Sequence, residues 1–486
     1  MRHKSLALNA FLNSFRSILN ILFPLITFPY VSRKLTVNGI GIYNFSNSVV
    51  SYFVLIAALG VGTYAVREGA KYRDNKKKIT QFCSEVFTIN IYSTIIAYLL
   101  LLFCIAIVPK FHKYLWCILI LSLQIFFNTI GTEWVYQIYE DYTYITIRSI
   151  IFQIISLILL FVFVKKPNDY LKYAAITVFS AVGSNFLNFI HARQYCNVHL
   201  VFNFDWKKHL IPILILFAAG IANMIYVNSD VTLLGLMKNN YVVGIYSVSS
   251  KVYQMIKTLI SALLIVTIPR LAMLFGRHRI KEYKNILSKL TNVLVVLTLP
   301  ASTGLFMLSK EIILIISGSH YLKAVNSLKI LCFAYIFSIL AWILSDCFLI
   351  PARREKKVLI STISSAILNV ILNVILIPFW NEIAAALSTV LAEMCMLIVN
   401  YYSSRDIVRN IFISKKFLKN FITSVIGCIG IVLVCLFCNI SLHSMIIKTI
   451  ASVLLSMIIY GGCLLIFHNE TALQIMEYIK SRTKKA

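Results

Sequence analysis

Acidic side chains are scarce in this chain. Only 18 Asp and Glu stand against 46 Lys and Arg in 486 residues, and charged residues of both signs make up 13%. A soluble domain carries about 25% charged residues. The shortage excludes an ordinary soluble enzyme, and the 59% hydrophobic content excludes a disordered or collagen-like chain. The apolar excess runs from end to end, with a mean hydropathy of +0.82, so one anchor helix on a soluble domain is excluded as well. Catalytic signatures are missing too: there is no Asp-x-Asp, HExxH, P-loop or complete GxGxxG. ATP hydrolysis, a metal site and a cofactor are therefore not expected, and the expectation is a protein that is not an enzyme.

What the chain does contain is long apolar runs. A membrane-spanning helix needs about 20 mostly apolar residues. Fourteen such spans are expected, at 6–31, 40–65, 83–108, 114–138, 143–164, 170–192, 209–236, 241–268, 286–309, 325–350, 357–379, 382–403, 418–439 and 443–467. The strands of a membrane β-barrel alternate apolar and polar residues. Runs such as Ile151–Val164 and Leu368–Ile377 do not, so the expected fold is all-α and polytopic. The basic start before the first apolar run resembles a signal peptide, but the run is too long and no small-residue cleavage site follows, so an uncleaved first span is expected. The 11 cysteines sit mostly within apolar runs, and Cys435 and Cys438 read as small helix residues rather than a redox pair.

The excess of positive charge, formally +28, maps onto the connecting segments. Clusters such as Arg67–Lys78, Arg270–Lys284, Arg353–Lys357 and Arg405–Lys419 alternate with sparsely charged segments, the longest of which, Lys310–Ala324, is too short for a domain. The side rich in Lys and Arg is expected to be cytoplasmic, with both termini there. The charge is then a topology signal, and nucleic-acid binding is not needed to explain it.

An internal repeat is visible. Gly41-Ile42-Tyr43 opens span 2, which is followed by Arg67, and Gly244-Ile245-Tyr246 opens span 8, which is followed by Arg270. The two matches share one offset, six spans apart. Two parallel six-helix lobes related by an axis along the membrane normal are expected, at 1–205 and 206–404, with spans 13 and 14 and a cytoplasmic tail at 405–486. Such repeats are characteristic of transporters that rock about a central site.

Ionisable groups at bilayer depth are costly and mark function by default. Arg16, Lys251 and Lys257 are the candidate cavity cations. Tyr246, Ser250, Tyr253 and Lys257 follow the spacing of one helical face, and the repeat partners of the two end residues are Tyr43 and Val54, with Asn47 equivalent to Ser250. Tyrosine faces suit sugar rings, which present C–H groups to aromatics and hydroxyls to the phenol, so Tyr43, Tyr246 and Tyr253, with Asn47, are candidate contacts for a glycan. Glu133, Asp230, Asp346 and Glu393 are the deep or near-interface acids, of which Asp230 and Glu393 are candidates for ion coupling or for a structural pair. A cavity with more bases than acids suits a phosphate-bearing substrate.

These residues carry a resemblance. Leu22–Arg33 reads LFPLITFPYVSR and continues into Gly39–Ser48, GIGIYNFSNS, and then Tyr64–Ala70, YAVREGA. Asp230–Gly235, Val243–Ser247, Lys251–Tyr253, Pro269–Leu271 and Ala384–Glu393 extend it through residue 404. The chain resembles bacterial oligosaccharide flippases of the Wzx type, in the superfamily that also holds the multidrug (MATE) exporters and the lipid II flippase. Where that family often has a Leu-Gly-Pro-Glu-Gly turn, this chain has Leu35–Gly39, LTVNG. The resemblance implies transport of undecaprenyl-diphosphate-linked oligosaccharide units to the outer leaflet of the bacterial cytoplasmic membrane, for capsule, O-antigen or exopolysaccharide assembly. It implies the lipid-linked substrate, membrane lipid, and a polymerase and glycosyltransferases as partners. The rival expectations are a multidrug exporter of the same fold, a membrane-embedded polysaccharide enzyme, and a structural partner within an assembly complex.

Overall fold

The computed structural model describes residues 23–412 and 414–483, except the side chains of 261–266, 409–412, 475 and 478–483. Among these residues every regular element is helical. Helix starts are written locally. Thr36 caps helix α2 (Val37–Ala58), which follows α1 (residues 23–34), by accepting a hydrogen bond from the Gly39 amide. Asn75, Asp205 and Ser414 do the same for Lys76–Ile107, Trp206–Met237 and Lys415–Ser441. Each side-chain oxygen satisfies an amide that the helix itself leaves unpaired.

Eleven helices among the described residues are long and apolar enough to cross a membrane. The longest, Glu355–Phe412, holds two passages, because Asn381 leaves the helical conformation at φ 51°, ψ −126°. A straight helix of 58 residues would run about 87 Å at 1.5 Å per residue, nearly three times the about 30 Å hydrocarbon core. The 37-residue helix Asn240–Gly276 adds a further passage, while most of the first expected span, 6–31, lies outside the described residues.

The chain divides into two compact units, Met1–Ser247 and Val248–Ala486. In the first, α2 is followed by α3 (Val61–Gly69), α4 (Lys76–Ile107), α5 (Pro109–His112), α6 (Leu115–Ile130), α7 (Glu133–Ile138), α8 (Tyr142–Phe163), α9 (Tyr170–Val182), α10 (Asn185–Ala192), α11 (Trp206–Met237) and the first turns of α12 (Asn240–Gly276). Three expected spans are broken helices. The breaks fall at Leu59–Gly60, both at positive φ, at Gly131–Thr132 and at Gly183–Ser184. In the second unit α13 (Ile280–Met307), α14 (Ser309–Ser317), α15 (Ala324–Trp342) with a π-helical continuation (Ile343–Leu349), α16 (Glu355–Phe412), α17 (Lys415–Ser441), α18 (Met445–Ile466) and α19 (Glu470–Thr483) follow.

Alongside an apolar core, many polar side chains are buried and many large apolar ones are exposed. On α4 the buried side includes Ser84, Thr88, Asn90, Ser93 and Thr94, while Ile95, Leu99, Leu102 and Phe103 are exposed. On α8 Ile147, Ile151, Ile154 and Ile158 form an exposed stripe at helical spacing. Lipid tails are as apolar as these side chains, so helices associate through small and polar groups instead. Asn90 and Ser93 both donate to the carbonyl of Ala57 (2.7 and 2.6 Å), which fixes α4 against α2. All eleven cysteines are free thiols, and Cys435 and Cys438 are buried within α17.

Candidate functional site

In the first unit the start of α2 meets the start of α12. A Cβ built on Gly41 would lie 1.9 Å from the carbonyl oxygen of Asn240, and one built on Gly244 would lie 2.2 Å from that of Val37. Both backbones approach closer than any side chain permits. The two contacts are reciprocal: Val37 and Asn240 stand at the same sequence offset as Gly41 and Gly244. The glycines that open both copies of the repeat motif thus serve one and the same contact.

Beyond this contact lies a polar cluster. The Tyr246 hydroxyl donates to Asp230 Oδ2 at 2.5 Å, and both residues are buried (2% and 7% exposed). On the same helix as Asp230, Thr232 hydrogen-bonds Ser48 of α2 and donates to the Tyr52 hydroxyl at 3.4 Å. Asp230 therefore has a neutral hydroxyl partner inside its own unit. Tyr43 packs its ring on Tyr173 of α9, with centroids 4.4 Å apart. Asn47 is half-buried, and its side chain has no hydrogen-bond partner among the described residues.

In the second unit three expected site residues come together. Lys257 Nζ donates to Glu393 Oε1 at 3.1 Å, and the Tyr253 hydroxyl donates to the same oxygen at 3.0 Å. Glu393 is 2% exposed. The Lys257 ammonium also lies 5.7 Å from the Tyr253 ring centroid and 5.9 Å from that of Trp342, so it sits within cation–π range of two aromatic faces. Tyr253 and Lys257 are one helical turn apart on α12, while Glu393 comes from the second half of α16 and Trp342 from the end of α15. Trp342 stands where α15 passes into its π-helical segment, and it donates from Nε1 to Asp346, which also accepts from Ser345 Oγ at 2.8 Å. Single π turns recur at functional sites because they rotate a side chain out of α-helical register.

Lys251 is half-buried and has no carboxylate partner among the described residues. Arg16 lies outside the described residues. Ser250, expected on the Tyr253–Lys257 face, is half-buried. Among the described residues no three His, Cys, Asp or Glu side chains cluster as a metal site.

Two features escaped the sequence reading. Trp342 gave no signal, because a tryptophan near a span end reads as an interfacial anchor. His209 is the second. Its ring nitrogens contact Glu85 Oε2 at 2.9 Å and the Tyr64 hydroxyl at 2.8 Å, with His209 1% exposed. The signal was present, since Glu85 and His209 both fall within the first three turns of apolar helices, but their separation along the chain concealed the pairing.

Residues 6–275 match the family described as polysaccharide biosynthesis protein. A protein of Escherichia coli (strain K12), provisionally named an O-antigen transporter, is 24% identical over 78% of this chain and 91% of its own length. A protein of Haloferax volcanii, provisionally named a low-salt glycan biosynthesis flippase, is 25% identical over 44% of this chain and 43% of its own. Among solved structures, the lipid II flippase MurJ in an inward closed conformation superposes with a TM-score of 0.73 at 16% identity, covering 97% of this chain and all of that one. An inward-facing multidrug resistance MATE family transporter of the MOP superfamily gives 0.58 at 12% identity, covering 82% and 99%. These two likenesses establish the fold.

Proposed function

We propose, from the premise that this chain belongs to the polysaccharide biosynthesis protein family, that it is a flippase: it carries oligosaccharide repeat units linked to undecaprenyl diphosphate across the cytoplasmic membrane. The names of its relatives in E. coli and H. volcanii support the substrate class. The observation that carries the reading is the Lys257–Glu393–Tyr253 group. It is a cation at membrane depth, held by a buried carboxylate and flanked by aromatic rings.

In this reading the diphosphate competes with Glu393 for Lys257, and Arg16 and Lys251 add further positive charge. A diphosphate carries more charge than one carboxylate and offers more acceptor oxygens, so it displaces Glu393 from the ammonium. Tyr43, Asn47, Tyr246 and Tyr253 contact the sugars, the phenol rings offering an apolar face to C–H groups; the hydroxyls of Tyr246 and Tyr253, held here by Asp230 and Glu393, must be released before they can meet sugar hydroxyls. The polyprenyl tail stays in lipid. Alternating access works between lobes 1–205 and 206–404, with spans 13 and 14 in 405–486 outside the repeat. The reciprocal Gly41 and Gly244 contacts support that symmetry. The Lys- and Arg-rich segments support a topology with both termini in the cytoplasm. Asp230 or Glu393 couples the step to an ion gradient, with glycosyltransferases acting before it and a polymerase after it.

The test is reconstitution in proteoliposomes, with a lipid-diphosphate oligosaccharide made accessible to an added lectin only after it crosses. Wild-type protein exposes the substrate, and Lys257→Ala protein of normal insertion and fold does not. Equal exposure by both would overturn the assignment of Lys257. Absence of transport by the wild type, alongside efflux of a cationic dye, would favour the multidrug exporter.

A further inference from the structure

A second polar site lies in the second unit, at the end of the molecule where α13 and α17 stop and α18 begins. A cavity of about 210 Å³ is lined there by Lys310, Glu311, Lys329, Asn439, Lys448 and Ser452, together with Met307, Leu308, Cys435 and Leu436. None of these residues belongs to the Lys257 site, and no role has been given to any of them.

The charge balance of the lining is three lysines to one carboxylate. Lys448 is satisfied: its ammonium pairs with Glu311 at 2.6 Å and donates to Asn439 Oδ1 at 2.7 Å. Lys310 and Lys329 have no carboxylate partner among the described residues; Lys329 lies only over the Phe306 ring, 5.4 Å from its centroid. Ser452, one of the lining residues, is fully buried on α18, and its hydroxyl has no hydrogen-bond partner among the described residues. A buried hydroxyl left without a partner costs about 1–3 kcal/mol, so such groups are rarely left without a ligand or water. Two ammonium groups, exposed on Lys310 and half-buried on Lys329, and this hydroxyl are thus available to a ligand, and what suits them is an anion rich in acceptor oxygens.

Size and surroundings narrow the class. The cavity is below the about 300–1,000 Å³ of pockets that hold drug-sized molecules. No aromatic ring lines it, which argues against a sugar. Its position, at the ends of α13 and α17 and the start of α18, is the level at which spanning helices reach the headgroups. Leu436 in its wall is exposed, and Leu433, Phe437, Ile440, Ile447 and Ile450 beside it on α17 and α18 are exposed as well. A ligand with acyl chains could lay them on this apolar surface, whereas a free anion would gain nothing from it.

We propose that this cavity binds the phosphate of an anionic membrane lipid, with Lys310, Lys329 and Ser452 as its donors and the Lys448–Glu311 pair as a fixed wall. The inference needs only that the chain spans a membrane, and its test does not depend on flipping.

The test uses the full-length protein purified in a mild detergent. Native mass spectrometry counts retained lipid after addition of phosphatidylglycerol or of phosphatidylcholine, and thermal melting is followed with phosphatidylglycerol or with inorganic phosphate alone. The wild type should retain phosphatidylglycerol in preference to phosphatidylcholine and should melt higher with it. The double variant Lys310→Gln/Lys329→Gln should retain it about tenfold less, the loss expected when charge-assisted contacts worth about 1.4 kcal/mol are removed. Lys310→Arg/Lys329→Arg should restore retention. Both lysines reach solvent, so these variants should fold, and circular dichroism checks that they do. Equal retention by wild type and the Gln variant would overturn the proposal. A melting shift with inorganic phosphate as large as that with phosphatidylglycerol would also overturn it, in favour of a soluble anion.

Discussion

The carbonyl oxygen of Asn240 occupies the place where a side chain on Gly41 would begin: a Cβ there would lie 1.9 Å away. The same holds, at 2.2 Å, for Gly244 and the carbonyl of Val37. Two helix starts are thus locked by a pair of contacts in which each glycine serves the other copy of the motif. Neither contact can yield by rotating a side chain, because the opposing atom is backbone.

Gly41→Val and Gly244→Val should therefore both separate the starts of α2 and α12. Overpacking costs about 1–3 kcal/mol, and more when backbone must move. Each variant should lower the melting temperature in detergent and reduce lectin-accessible substrate in the reconstituted assay. Gly62→Ala is the control, since nothing lies within 4 Å of its Cβ position. It should be neutral or slightly stabilising, as expected for alanine replacing glycine inside a helix.

Removing one member of the Lys257–Glu393 pair should be worse for stability than removing both. Lys257→Ala leaves a buried carboxylate, and losing one partner of a buried pair costs about 3–5 kcal/mol. Lys257→Ala/Glu393→Ala should regain much of that stability but none of the transport, if Lys257 meets the substrate. Melting curves and the flipping assay, run on both singles and the double, separate the two roles. Full transport by the double variant would reduce the pair to a structural tie.

Glu85→Gln keeps the shape of the His209 partner while removing its charge. Because His209, Glu85 and Tyr64 form a buried chain, Glu85→Ala should cost about 1–3 kcal/mol through groups left unsatisfied, and Glu85→Gln less. Denaturation monitored by tryptophan fluorescence reads the difference, since Trp134 lies within the core cluster that holds Tyr64 and Trp206 packs against it.

Asp169, in the segment between α8 and α9, provides a pH prediction. The backbone amide of Lys166, the Lys172 ammonium at 2.9 Å and the amide of Lys165 hold its carboxyl down to about 2, from an ordinary 3.8. A depressed folded-state value means that the stabilisation is complete above about pH 4 and is lost as pH falls through the folded value near 2. Asp169→Asn should therefore melt lower than wild type at pH 5 and above. The gap should close as pH falls toward 2. A gap that does not change with pH would refute the assignment.

Much of the fold was legible in the sequence. In a bilayer every backbone group must be satisfied within the helix, so long apolar runs leave few alternatives to spanning helices. The expected edge 143–164 became Tyr142–Phe163 and 325–350 became Ala324–Leu349. Spans 11 and 12 were expected to end and begin on either side of residues 380–381, and the chain turns at Asn381. Capping residues such as Thr36 and Asp205 mark their own helices because the hydrogen bond is local. The breaks at Gly131–Thr132 and Leu59–Gly60 were less legible, since apolar residues continue on both sides of each.

The candidate site was legible only in part. Lys257 and Tyr253 were visible as neighbours on one helical face. Glu393 was visible as a deep acid, but nothing local tied it to Lys257, 136 residues away. Trp342 and the anion cavity of Lys310, Lys329 and Ser452 were not visible at all, because each is assembled from helices remote in sequence.

The sequence alone determined that the chain crosses a membrane many times, which stretches form most of the described passages, and that two of its stretches repeat one motif. Those properties follow from residue type and local hydrogen bonding. Only the tertiary structure decided how each helix is turned about its axis, and with it which polar groups meet. Lipid rewards apolar residues equally on every face of a helix, so hydrophobicity does not set that rotation. Close contacts at small residues and a few buried polar pairs set it instead. They brought Gly41 to Asn240 and gave Lys257, read from the sequence as a bare cation, Glu393 as its partner.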